Sequence, residues 1–418
     1  MKKLLLFTLA GIALSTASHA QFSEFQNNVG PSPFTLSSDN NTLEIGGRTS
    51  FYYENRLLKA GYNYNNLSHN GFDVKDADLD ILGKTANKFE YEFHLSLIDL
   101  ATAAATGNTN NPANPGIKAA YIQYRKWSVL HIKLGYDKVP FSQGSLSEVW
   151  GTPMWSHANL YGGDLFARRD IGLTLQSRLW KNRINLYGGI YSGMGENFFE
   201  YGNDESGRFE YIGRAEFSWP GKMKYHVIDE ENSPVLQFRV AVNARYEDKT
   251  QPNNSTVLAN YPDMPGMYGI RMVNGKRGVY GADAVVKYKG ISATFETDMI
   301  RMKPSSDADP LYYGTSTSFN GKYVKAGGYN ASLNYNWEKI HSVFSVMYEG
   351  FNANDLAVNV STGHKAGQQE WLYFGYAYKI NGFNSVIKAE YYRPTVESTN
   401  LNPLKWDGQI RIGYQIVF

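Results

Sequence analysis

The chain closes with Ile410-Arg411-Ile412-Gly413-Tyr414-Gln415-Ile416-Val417-Phe418. Read at a period of two, Ile410, Ile412, Tyr414, Ile416 and Phe418 share one face, and Arg411, Gly413 and Gln415 share the other. Only Val417 breaks the alternation. A strand with an apolar and a polar face, ending on an aromatic residue, fits the closing strand of a barrel whose outside meets lipid and whose inside meets water.

The same pattern runs back through the chain. It is cleanest at residues 88–97, where Phe89, Tyr91, Phe93, Leu95 and Leu97 oppose Lys88, Glu90, Glu92, His94 and Ser96. A soluble sandwich strand also alternates, but it rarely sets so many large apolar side chains against so many ionisable ones. Further alternating segments fall near 42–55, 72–84, 117–126, 128–137, 168–179, 182–192, 208–219, 234–247, 276–288, 291–301, 323–336, 339–350, 368–380, 384–394 and 408–418. They predict an all-β fold: a closed antiparallel transmembrane barrel of about 16 strands, a size that encloses an aqueous channel. Connections alternate between tight turns, such as Lys289-Gly290 and Asn381-Gly382, and long polar loops. That asymmetry predicts short periplasmic turns and long extracellular loops. One connection departs from it: residues 220–234 are long where a short turn is expected.

Composition agrees. Residues 1–20 read as an export signal, with Lys2 and Lys3, an apolar run over residues 4–14, and Ser18-His19-Ala20 as the cleavage site. The run is too short for a spanning helix. Residues 21–41 read as a polar periplasmic tail and residues 42–418 as the barrel. Removing Lys2 and Lys3 from 41 basic residues leaves 39 against 39 acidic ones, without the basic excess of a nucleic-acid binder. The chain has no cysteine, so disulfides and thiolate chemistry are excluded. Its 31 Tyr and 22 Phe suit aromatic girdles at two lipid–water interfaces.

Gly135-Tyr136-Asp137-Lys138-Val139-Pro140-Phe141-Ser142 resembles the Gly-x-x-Lys-x-Pro-Phe-Ser segment of the phosphate-selective porin O and P family. Ala120-Tyr121-Ile122-Gln123-Tyr124, Arg168-Arg169-Asp170-Ile171-Gly172 and Gly213-Arg214 follow that family's order. The resemblance spans residues 43–418, with its distinctive motifs between 71 and 218. It implies a sixteen-stranded porin, usually trimeric, that passes anions by diffusion. One stretch departs: where the family tends to carry arginines, this chain has Asp76, Asp78 and Asp80 on one face. Those carboxylates weigh against phosphate selectivity.

Parity assigns lumen charges. Arg168, Arg178, Arg183, Arg208, Arg214, Arg239 and Arg245 form a basic arc, with Asp170, Glu210 and Glu216 interspersed. Asp76, Asp78, Asp80, Glu90 and Glu92 form an acidic arc. Opposed arcs in a low-dielectric wall orient solutes, and arginine's fork suits phosphate or carboxylate. Residues 138–167, with Lys138, Glu148 and Asp164 as their charges, read as a constriction loop.

Three other chemistries are weighed. Asp76-x-Asp78-x-Asp80 lacks the glycine and final glutamate of a calcium loop. The eight histidines are scattered without ligand spacing, so no metal site and no cofactor are expected. His94-Leu95-Ser96 carries the His-x-Ser spacing of an outer-membrane hydrolase, but both side chains face away from lipid and no oriented base is evident. The expectation is therefore a passive channel, not an enzyme, in the outer membrane of a Gram-negative bacterium. Its expected partners are membrane lipid, small anionic or polar solutes, two further copies in a homotrimer, and the barrel-assembly machinery at the C-terminal strand. No nucleic acid is expected.

Overall fold

The computed structural model describes residues 34–59, 70–86, 88–106, 116–156, 158, 168–195, 207–250, 274–305, 323–352, 368–396 and 406–418. The expected export signal and Asp164 lie outside them. The strands are β1 (Phe34–Ser38), β2 (Asn41–Leu58), β3 (Gly71–Thr85), β4 (Phe89–Ser96), β5 (Ile117–Tyr124), β6 (Leu130–Lys138), β7 (Arg169–Leu179), β8 (Ile184–Tyr191) and β9 (Glu210–Trp219). They continue as β10 (Gln237–Thr250), β11 (Asn274–Tyr288), β12 (Ile291–Pro304), β13 (Val324–Trp337), β14 (Ser342–Asn352), β15 (Gln368–Asn381), β16 (Ser385–Val396) and β17 (Trp406–Val417).

Strands β2 to β17 pair antiparallel with their sequence neighbours, and β17 returns to pair with β2 from Val417↔Arg48 to Trp406↔Leu58. The result is a closed barrel of 16 strands. The seam is finished by the C-terminus itself. Gly47 N–H donates to Phe418 O at 2.7 Å, and Phe418 N–H donates to Gly47 O at 2.9 Å. Closure leaves the ring no open edge, so each of its 16 strands has a ladder partner on both sides. Strand β1 is the departure from the expected unpatterned tail. It folds back on β2 through Phe34↔Ile45 to Ser38↔Asn41 and stays outside the ring of 16.

Alternation along the strands sets which face is which. In β4, Phe93 is 38 % exposed while Glu92 and His94 are 3 % exposed, so the charged face points into the bore. The tight turns obey backbone sterics. Lys289 and Gly290 sit at φ 48° and 83°, the paired left-handed values of a two-residue hairpin. Outward aromatics meet in two rows. Phe89, Tyr124 and Trp127 cluster at the short-turn end, with Trp180 stacked on Phe217. Tyr53 meets Phe72, and Tyr329 meets Tyr348, toward the long-loop end.

Candidate functional site

Among the described residues, two chain segments enter the bore. The first is the β6–β7 loop. Gly135, at φ +136°, has no room for a Cβ, which would fall 2.3 Å from Ala120 O. Pro140 then ends the ladder because it has no N–H to donate. Ser142 starts a one-turn helix, Gln143–Leu146, with a reciprocal cap: its Oγ accepts from Ser145 N at 3.1 Å, and its own N–H donates to Ser145 Oγ at 2.9 Å. Phe141 is wholly buried among Val139, Met154 and Tyr191. Lys-x-Pro-Phe-Ser is therefore a device for turning the chain off the wall and into the lumen.

The loop then crosses to the far wall. Gln143 N–H donates to Asp283 Oδ2 on β11 at 3.2 Å, and Gly144 N–H donates to Glu296 Oε2 on β12 at 2.9 Å. Arg214 on β9 donates to Phe141 O at 2.8 Å, and Arg239 on β10 donates to the Gln143 side chain. Farther on, Lys388 on β16 donates to Trp150 O at 3.0 Å, and Trp155 N–H donates to Glu390 Oε1 at 3.3 Å. Between loop and wall lies a cavity of about 60 Å³, lined by groups such as Ser147, Thr152, Thr294, Asn330 and Ser345.

The loop leaves the wall through a basic knot. Lys138 pairs with Glu148, and Arg168 and Arg169 lie 3.5 and 3.6 Å from the same carboxylate. Burial alone would raise the Glu148 carboxyl. Lys138, Arg168 and Arg169 outweigh burial and hold it well below the usual carboxylate range. Arg168 also donates from Nε to Ser145 O at 3.0 Å.

The second segment is residues 220–236, the anomalously long periplasmic connection. It turns inward and docks on the loop and the barrel floor. Tyr225 donates from its hydroxyl to Glu216 at 2.6 Å, and its carbonyl accepts from Gln143 Nε2 at 2.7 Å. Gly290 N–H donates to Asp229 at 2.8 Å, and Lys287 donates to Ile228 O at 3.0 Å. Ile228 and Val227 pack on Trp150, Val343, Ala377, Phe383, Val386 and Val417. Val417, the break in the alternation of the closing strand, is thus part of an apolar pad under this segment.

The arginines expected in the bore separate into groups. Arg168, Arg178, Arg214, Arg239 and Arg245 have buried or nearly buried side chains on the lumen side. Arg214 grips Asp283 through two nitrogens, the longer contact 3.0 Å, and reaches Glu216 at 2.6 Å. Arg245 holds Glu210 in a two-point fork at 2.7 and 2.6 Å. Arg183 and Arg208 differ from the expectation and sit at the rims. Arg183 lies 4.0 Å over Trp219 and donates to Pro220 O at 2.9 Å. The Arg208 side chain is 55 % exposed and pairs with Asp248 at 2.7 Å.

On the other arc, Arg48 pairs with both Asp76 and Asp78. Glu90 pairs with Arg125. Glu92 accepts from Tyr121 at 2.8 Å. Asp80 faces His94. Asp283, Glu296, Asp298, Glu349 and Glu390 are further buried carboxylates that the sequence reading did not single out. Parity was available for Glu296, Asp298 and Glu390, which sit two residues from the inward polar Thr294, Glu296 and Lys388, but not for Asp283 and Glu349, whose inward neighbours are Gly281, Val285, Met347 and Phe351. Among the described residues, fifteen buried carboxylates stand against twelve buried Lys and Arg side chains, so the buried charge is not basic.

The hydrolase alternative finds no support. His94 is buried between Asp78 and Asp80, and Ser96 lies opposite Asp78 on the neighbouring strand, away from the lipid face.

Comparison with known proteins fits this geometry. The profile of the family described as "Phosphate-selective porin O and P" matches residues 45–337. No curated protein sequence matches the chain. Among solved structures, OmpF of Salmonella typhi in complex with daunomycin is similar at a TM-score of 0.57 and 11 % identity, covering 92 % of this chain and 100 % of that one. OmpT of Vibrio cholerae gives 0.52 and 8 % over 92 % of this chain and 100 % of that one. The outer-membrane channel DcaP of Acinetobacter baumannii gives 0.51 and 9 % over 91 % and 99 %. At these identities the likeness speaks for the fold alone.

Proposed function

Because the chain belongs to the phosphate-selective porin O and P family, and so forms an outer-membrane channel, we propose that it is a narrow passive pore for small hydrophilic solutes with a modest anion preference. The observation that carries this reading is the loop lying across the bore, held on both walls by buried polar contacts. It leaves a cavity of about 60 Å³ whose lining mixes hydroxyl and amide groups with apolar ones such as Met154, Val227 and Met347, a size for small solutes.

The anion preference rests on the knot where the loop leaves β6 and rejoins β7. Three cationic side chains, Lys138, Arg168 and Arg169, surround the single carboxylate Glu148. Local excess charge in a low-dielectric constriction weights passage by sign. Elsewhere Arg48, Arg214 and Arg245 are paired with carboxylates, so the preference is modest. The family's description supports anions as the solute class. No reaction or cofactor is part of this reading. A homotrimer in the outer membrane of a Gram-negative bacterium, assembled through recognition of the strand ending at Phe418, completes it.

The test is the reversal potential across a planar bilayer under a KCl gradient. The wild type is expected to favour chloride, and Lys138→Gln, Arg168→Gln and Arg169→Gln are each expected to shrink the potential toward zero. A cation-selective wild type, or three variants indistinguishable from it, overturns the anion assignment. Light scattering of the detergent-solubilised protein checks the trimer, with a protein mass of one chain as the contrary result.

A further inference from the structure

On the bore wall, β3 and β4 bring together three potential ligands that are separate in the sequence. Asp80 lies directly across the ladder from His94, and Glu92 precedes His94 by two residues on the same inward face. One oxygen of Asp80, one oxygen of Glu92 and one ring nitrogen of His94 lie within 4.8 Å of one another. All three residues are buried, at 1 %, 3 % and 3 % exposure. On β5 the neighbour of His94 is Ala119, the smallest side chain that still carries a Cβ.

Hydrogen bonding from a neutral imidazole to two ionised carboxylates does not account for this arrangement. Neither His94 Nδ1 nor Asp80 Oδ1 makes a well-aligned hydrogen bond among the described residues. Yet His94 Nδ1 stands 3.2 Å from Asp80 Oδ1, and Nε2 stands 3.3 Å from Asp78 Oδ2. A neutral imidazole can give a proton to only one of these carboxylates. The other nitrogen then directs its lone pair at an oxygen that also carries lone pairs. A positive centre between them removes that conflict. Four-coordinate zinc, with bonds of about 2.0–2.1 Å, sets its ligand atoms about 3.3 Å apart. The Nδ1–Oδ1 separation already matches.

We propose that Asp80, Glu92 and His94 form a binding site for a first-row divalent cation of the zinc type in the wall of the channel. Imidazole with two carboxylates favours such an ion over calcium or magnesium, which take oxygen ligands. Asp78 acts as the positioning residue: by accepting the Nε2 proton it turns Nδ1 toward the metal, the usual outer partner of a ligating histidine. Arg48 and Tyr121 hold the flanking carboxylates. Arg48 pairs with Asp78, and Tyr121 donates to the second oxygen of Glu92 at 2.8 Å. Histidine spacing along the chain does not disclose the site, because the partner of His94 lies across a hairpin. The site is independent of which ions the channel prefers.

The test uses the purified full-length barrel in detergent, stripped with EDTA and titrated with Zn²⁺ by calorimetry. One Zn²⁺ per chain is expected. His94→Ala and Asp80→Asn are expected to abolish that binding, and Asp78→Asn to weaken it about 10- to 100-fold. Glu90→Gln, on the same strand but outside the triad, is expected to bind as the wild type does. Heat-modifiable migration on gels confirms that each variant is folded. Should His94→Ala fail to fold, His94→Gln replaces it, and Co²⁺ added to the wild type supplies a second readout through the visible absorption of a tetrahedral nitrogen–oxygen site. Absence of stoichiometric Zn²⁺ in the wild type, undiminished binding without His94, or no cobalt band overturns the proposal.

Discussion

The two segments that fill the bore are held there by different forces. The loop after β6, over residues 139–156, is fixed by charge-assisted hydrogen bonds: Arg214 and Arg239 grasp it from one wall, and Asp283 and Glu296 take its backbone N–H groups. The segment of residues 220–236 has hydrogen bonds too, but its end near Ile228 rests on an apolar pad of Val343, Ala377, Val386 and Val417. The first mode is directional and sets where the constriction lies. The second is non-directional and scales with buried area. The loop is therefore sensitive to losing a polar partner, and the second segment is sensitive in addition to losing volume at its pad.

The largest change is expected on replacing residues 221–235 by Asn-Gly, the turn that two-residue hairpins favour. The barrel is expected to fold, and its conductance to rise by about twofold or more as the periplasmic half of the bore empties. Unchanged conductance would mean that the segment does not limit the current. Next comes Arg214→Ala. It strands Asp283 and Glu216, both fully buried at the side chain, and removing one member of such a pair costs about 3–5 kcal/mol. Thermal unfolding measures the loss, and noisier single-channel current is expected as the loop loosens. Ile228→Ala is expected to cost about 2–4 kcal/mol through the cavity it leaves. It is expected to raise conductance without altering the reversal potential, because no charge moves.

Much of the architecture is legible from two-residue periodicity, because each strand must satisfy lipid on one side and water on the other. Turn positions follow from the same logic. The interior is harder to read. Val343, Ala377, Val386 and Val417 are apolar residues at inward positions, and each looks like noise until residues 227 and 228 are placed on them. The anomalous length of the 220–234 stretch was the visible sign. Arginine parity located Arg214, Arg239 and Arg245, but it could not show that Asp283, Glu216 and Glu210 neutralise two of them. Nor does parity alone settle strand ends, where Arg183 and Arg208 turn to the rims.

A smaller effect concerns pH. The Glu148 carboxyl is held below its ordinary value of 4.5, so its contribution to loop docking is fully present above that value. It is lost only as pH falls through the lowered value. Conductance is expected to be flat from neutral pH down to 4.5 and to grow unsteady below it, and Glu148→Gln is expected to be unsteady throughout. Smallest of all is Arg208→Ala, an exposed ion pair worth about 0–1 kcal/mol. Reversal potential and unfolding temperature are expected to stay at wild-type values, and a clear shift in either would return Arg208 to the bore.

Single-channel recording of the purified protein in a planar bilayer bears most directly on the central claim, a lipid-facing cylinder with a water-filled, narrowed bore. The account predicts steady current steps, larger when residues 221–235 are replaced and absent from heat-denatured samples. A folded barrel that inserts into the bilayer and passes no current in either form would contradict it.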